Sequence, residues 1–192
     1  MARTRRGDAG PKVLDAAARL FFREGIHAVG VDTVAARAGV TKTALYSNFG
    51  SKDGLVVAYL RDRDRRWTAE IDRITAGYAA PRDRILAVFD AYEAWQERDG
   101  FRGCAFLNAT CELPDPDHPA REVVRHHKAA LREYLQTQAD RLTGGTGGTL
   151  GTTLLLLLDG AVTAAAREGG PGPIRHARAV ADSLLPVPSG SS

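Results

Sequence analysis

The segment VDTVAARAGVTKTALYSNFGSKDGL, residues 31–55, carries two short helical patterns separated by a turn of small residues. Val34, Ala35 and Ala38 share one helical face and stop at Gly39, with Asp32 or Thr33 as the cap at the start. Thr41 caps a second helix in which Leu45 and Phe49, four apart, again share a face. Gly50-Ser51 ends it, and Ser51 caps a longer helix beginning at Lys52. This is the spacing of a helix-turn-helix. With Leu45 and Phe49 turned inward, the helical period turns Lys42, Thr43, Tyr46 and Ser47 outward together. Hydroxyls and an ammonium on one edge of a helix can meet phosphate oxygens, base edges and thymine methyls in a major groove about 12 Å wide. Duplex DNA is the partner this edge fits.

The charge distribution agrees. Residues 1–52 hold nine Lys/Arg against four Asp/Glu, a net +5, whereas the whole chain is only +3. The opening ARTRRGDAG lacks an apolar period and reads as a basic arm whose Arg3, Arg5 and Arg6 either enter a minor groove or add nonspecific attraction. Lys52 is placed to meet a phosphate beside the positive end of its helix.

Beyond this end the chain continues in helical periods. Val13, Ala16, Ala17, Leu20 and Phe21 mark a first helix, stopped by Gly25. The helix from Lys52 keeps an apolar stripe of Leu60, Trp67, Ile71 and Ile74 through the charged run RDRDRR. Further helices are predicted around Ile85–Trp95, over CAFLNATCEL, from Val123 to Leu142, over Leu150–Glu168 and over Ile174–Leu185. No convincing strand alternation occurs. The expected fold is all-α, about nine helices, with a DNA-binding domain over 1–55, a helical regulatory domain over 56–185 and a disordered tail over 186–192.

Several chemistries are set aside. No charged leader with a cleavage site opens the sequence, so the cytoplasm is the expected compartment. The most apolar stretch, Leu150–Ala166, is short of the roughly 20 residues of a membrane span and contains Asp159, so it reads as a helix buried in protein. Cys104 and Cys111 lie two helical turns apart, too far for a mutual disulfide within a regular helix. His118, His126 and His127 near Asp115, Asp117 and Glu122 lack a ligand spacing, and no metal site or cofactor is expected. GGTGG (144–148) has no preceding strand and no Lys-Ser/Thr ending, so it reads as a connector. With no nucleophile motif or HExxH pattern, no catalytic residue is assigned and the chain is not read as an enzyme.

VDTVAARAGVTKTALYSNFGSKDGL closely resembles the DNA-binding signature of TetR-type transcriptional regulators, and the likeness extends over about residues 11–60. The resemblance implies that Thr33 and Lys52 contact backbone phosphates and that Thr41, Lys42, Thr43 and Tyr46 lie in or against the major groove. Asn48 stands where many members carry His, and either side chain can donate to a phosphate. Family likeness also implies a homodimer built from the last two helices of each chain. Leu154, Leu157, Leu158, Ala161, Ala165, Val180 and Leu184 are the candidate interface, in keeping with a helix apolar on all sides. It further implies an effector pocket, for which Phe89, Tyr92, Trp95, Phe106, Asn108, Glu112, His127 and Tyr134 are candidates. The expected function is a ligand-responsive repressor released from a pseudo-palindromic operator by a small hydrophobic molecule. Activation, and DNA binding without an effector, remain the alternatives.

Overall fold

A computed structural model describes residues 9–186, so the basic arm up to residue 8 and the tail from 187 onward lie outside the described residues, while Ala9 and Gly10, expected in the arm, open the first helix. Among those described, nine α-helices follow one another without a strand. They are α1 (Ala9–Glu24), α2 (Val31–Ala38), α3 (Lys42–Phe49), α4 (Lys52–Thr75), α5 (Pro81–Asp99), α6 (Ala105–Glu112), α7 (Pro119–Thr143), α8 (Leu150–Glu168) and α9 (Gly172–Leu184). They form two units: residues up to 65 together with 105–127, and residues 66–104 together with those from 128 onward. The division falls inside α4 and inside α7.

In the first unit, α1 buries Val13, Ala16, Ala17, Leu20 and Phe21, the face its spacing marked. Leu45 of α3 is fully buried and Val34 of α2 likewise, while Phe21 meets Tyr59 of α4 edge-on at 5.8 Å. The start of α2 differs from expectation: Gly30, with extended backbone, occupies the cap position and no side chain caps the helix. Asp32 sits in the first turn, where a carboxylate still favours the positive helix end. Gly39 ends α2 in the left-handed region (φ 65°), with its N–H on Ala36 O and the Val40 N–H on Ala35 O, the paired bonds of a Schellman turn. Thr41 then caps α3 by accepting the Ala44 N–H at 3.1 Å, and Ser51 caps α4 by accepting that of Gly54 at 2.9 Å.

The second unit packs α8, α9 and α5 together. Leu154, Leu158, Ala161, Val162 and Ala165 of α8 and Ile174, Ala177 and Ala181 of α9 line its core, with Ile85, Val88 and Phe89 of α5. Pairs Arg175–Glu93 and Arg178–Asp90, both 2.6 Å, set the register of α9 along α5. Arg82 closes the end of α9 by donating to the carbonyls of Asp182, Leu185 and Pro186 and to the Asp182 carboxylate at 2.7 Å. By length and composition α8 is long and apolar enough to cross a membrane. Among the described residues it is covered on one face only, and Leu156 is 68% exposed.

Candidate nucleic-acid interface

The edge of α3 marked by the sequence is exposed. Thr41, Lys42, Thr43, Tyr46, Ser47 and Asn48 all reach solvent, while Leu45 between them is 0% exposed, so one buried leucine sets the direction of the whole row. Thr33 lies exposed on α2. A short helix presented in this way can enter a groove without moving the core beneath it.

Four of these polar groups, Thr41, Lys42, Asn48 and Lys52, have local partners that a ligand must share or displace. Lys42 Nζ is 2.9 Å from Asp32 Oδ1, so α2 supplies a carboxylate that the sequence reading missed. The hydrogen bond to Asp32, reinforced by charge attraction, raises the Lys42 pKa above its ordinary value, and the group stays cationic at any physiological pH. Asn48 donates to Ala44 O at 2.7 Å and lies against Gly10 in the first turn of α1. Lys52 is half-buried, with Nζ 3.4 Å from His27 O, and retains N–H donors for a phosphate. Only the side-chain oxygen of Thr41 is committed to capping; its neighbour Thr43 stands clear of the core.

The turn from α3 to α4 needs a glycine. A Cβ on Gly54 would stand 2.0 Å from Phe49 O, far inside contact distance, so α4 begins this close to α3 only because residue 54 has no side chain. That closeness places Lys52 beside α3.

The candidate effector residues divide between the units. In the second, Tyr92 and Trp95 both pack on Trp67, at 4.1 and 5.4 Å, whereas Phe89 is fully buried core and Tyr134 is half-buried. In the first, Phe106 stacks on His127 at 3.6 Å, His127 Nδ1 lies 2.7 Å from Asp64, and Asn108 is half-buried. Glu112 accepts the backbone N–H of His27 at 2.9 Å, a contact 85 residues away that α6 periodicity could not reveal. His118 takes the Ala120 N–H on Nδ1 and faces Asp53 through Nε2 at 3.3 Å.

The candidate interface residues divide as well. Leu154, Leu158, Ala161 and Ala165 are buried by their own chain. The all-apolar composition of α8 could not tell one face from the other. Leu157 and Val180 are half-buried, Leu184 is exposed, and Leu156 is the most exposed large apolar side chain among those described.

Comparison with known proteins agrees with this geometry. Residues 13–59 match the family described as "Bacterial regulatory proteins, tetR family", and residues 81–145 match "Tetracyclin repressor-like, C-terminal domain". A crystal structure of a TetR-family transcriptional regulator from Streptomyces coelicolor is 33% identical, with a TM-score of 0.86 over 93% of this chain and 96% of that one. One from Streptomyces avermitilis, described as a putative TetR-type transcriptional regulator, is 31% identical, with a TM-score of 0.77 over 94% and 99%. The HTH-type transcriptional activator FasR of Mycolicibacterium smegmatis is 33% identical over 106 residues, 51% of this chain and 48% of that protein. The chain spans about half the length, or less, of the curated relatives it matches. Two family matches in the expected order, and a relative aligned over nearly its whole length, leave one assignment: the chain belongs to the TetR family of helix-turn-helix, DNA-binding transcriptional regulators.

Proposed function

We propose that the chain is a homodimeric repressor that binds a pseudo-palindromic operator and is released by a small hydrophobic effector. The observation that carries this reading is the exposed row Lys42, Thr43, Tyr46 and Ser47, held outward by the fully buried Leu45. Lys42, Thr43 and Tyr46 read base edges, and Thr33, Thr41, Ser47, Asn48 and Lys52 fix the head on the phosphates. Leu156, Leu157, Val180 and Leu184 pair with a second copy, since a surface holding so exposed a leucine gains from being covered. An interface of ordinary size buries about 1,600 Å² in total.

The effector is held among the aromatic side chains of the second unit, where Trp67, Tyr92 and Trp95 already pack face and edge. Tyr134 Oη and Gln138 Oε1, one turn apart on α7, are buried and make no hydrogen bond within the described residues. A buried oxygen without a partner is costly, and an effector bearing a hydrogen-bond donor would relieve both. Release follows if the effector prefers a conformation whose two heads no longer match the operator spacing.

Selection of bound sequences from random duplex DNA tests the reading. The expected product is an inverted repeat with half-sites about one helical turn apart, roughly 34–36 Å. Failure to enrich any sequence at low salt would overturn it. The matched relative FasR is named as an activator; a reporter carrying the recovered site upstream of a promoter decides the sign, and transcription that rises with the regulator favours activation.

A further inference from the structure

The turn between α1 and α2 is gripped from two directions. The amide N–H of His27 donates to Glu112 Oε2, at the end of α6, at 2.9 Å. The carbonyl of the same residue accepts from Lys52 Nζ, at the start of α4, at 3.4 Å. Ile26 and Val29 are buried plugs, so His27 and Ala28 form the exposed arch between two fixed points. Gly25 makes the approach possible: its φ is +95°, and a Cβ there would lie 2.9 Å from Glu112 Oε2. The position of Glu112 is itself informative. A carboxylate as the last residue of a helix faces the negative end of the helix dipole, an unfavourable place unless another interaction offsets it. The His27 N–H is that interaction.

We propose that Glu112 is a positioning residue for DNA binding: it orients the His27 peptide, whose carbonyl in turn holds the Lys52 ammonium where it meets an operator phosphate. This rests on the reading of Lys52 as a phosphate contact. An ammonium has three donors, so His27 O can occupy one while phosphate takes another. Holding a long side chain ready removes the cost of ordering it on binding. Because α6 carries Glu112, any shift of α6 that breaks the contact releases Lys52 and weakens the grip on DNA.

The test uses the full-length chain with Glu112→Ala, Glu112→Gln, Glu112→Asp, Lys52→Met and the Glu112→Ala/Lys52→Met pair. Operator affinity is measured by fluorescence anisotropy at two salt concentrations, with circular dichroism melts as the control for folding. Glu112→Ala should weaken binding about three- to tenfold, the scale of ordering one long side chain, and flatten the salt dependence. Glu112→Gln, which keeps an acceptor oxygen, should restore affinity to within about twofold, and the shorter Asp should not. In the Lys52→Met background, Glu112→Ala should add nothing. If Glu112→Ala misfolds, the Asp and Gln variants decide between them.

Equal losses with and without Lys52, or full affinity in Glu112→Ala, would overturn the positioning role while leaving operator binding intact. A parent chain that binds no operator, or Lys52→Met binding as the parent does, would instead remove the reading on which the role rests.

Discussion

Lys42 of α3 is ion-paired with Asp32 of the preceding helix, Nζ to Oδ1 at 2.9 Å. Both side chains are at least half exposed, so the pair adds little to stability. On the proposed reading of Lys42 as a DNA contact, Asp32 competes with DNA for it and disfavours duplexes that offer charge alone. Asp32→Asn should tighten binding to random-sequence DNA about two- to fivefold at low salt and steepen its salt dependence. Anisotropy titrations at 50 and 200 mM salt check this, and an unchanged affinity would mean that the pair is bystander geometry.

Tyr46 is 39% exposed and contributes no buried side chain to the head. Tyr46→Ala should weaken operator binding roughly tenfold, the scale of one lost base contact, with helicity and melting temperature unaltered. Lys42→Ala should weaken operator binding on the same scale. Retained affinity in both variants would show that another edge of the head reads the DNA.

Gly54 lies within α4, where alanine is ordinarily the better helix former by about 1 kcal/mol. Propensity alone forecasts stabilisation. The Cβ would stand 2.0 Å from a backbone carbonyl oxygen, which cannot swing aside as a flexible side chain could. Strain wins, and Gly54→Ala should cost about 1–3 kcal/mol and lower operator affinity by parting α3 from α4. Chemical denaturation measures the first effect; a more stable variant would mean that the two helices tolerate separation.

Leu154 and Leu156 lie two residues apart on α8 and face opposite environments, 0% against 68% exposed. Leu156→Asp should leave the folded chain within about 0.5 kcal/mol of the parent, as for a surface change, while shifting its sedimentation from dimer to monomer. Leu154→Asp should fail to fold, since it buries an unpaired carboxylate. A Leu156→Asp protein that sediments as the parent does would place the partner surface elsewhere.

Periodicity was sufficient wherever a helix has one wet face and one dry face. On α1 the apolar spacing named the buried residues, on α3 it named the buried Leu45 and the half-buried Phe49, and Thr41 and Ser51 capped the helices that follow them, because a cap acts within four residues of itself. The exposed edge of α3 was legible for the same reason: once Leu45 is inward, geometry forces Lys42, Thr43 and Tyr46 outward. On α8 this failed, since leucine on every side carries no periodic signal, and only packing against α9 and α5 separated Leu154 and Leu158 from Leu156. The partners of charged groups were equally hidden. Glu112 looked like a polar residue facing a pocket, yet its carboxylate lies against a peptide 85 residues earlier. Local order, and with it the family, is written in short-range spacing, which one stretch of chain satisfies by itself. The pairing of Glu112 with His27 and of Lys42 with Asp32 depends on where separate helices come to rest, and the tertiary structure alone decided that.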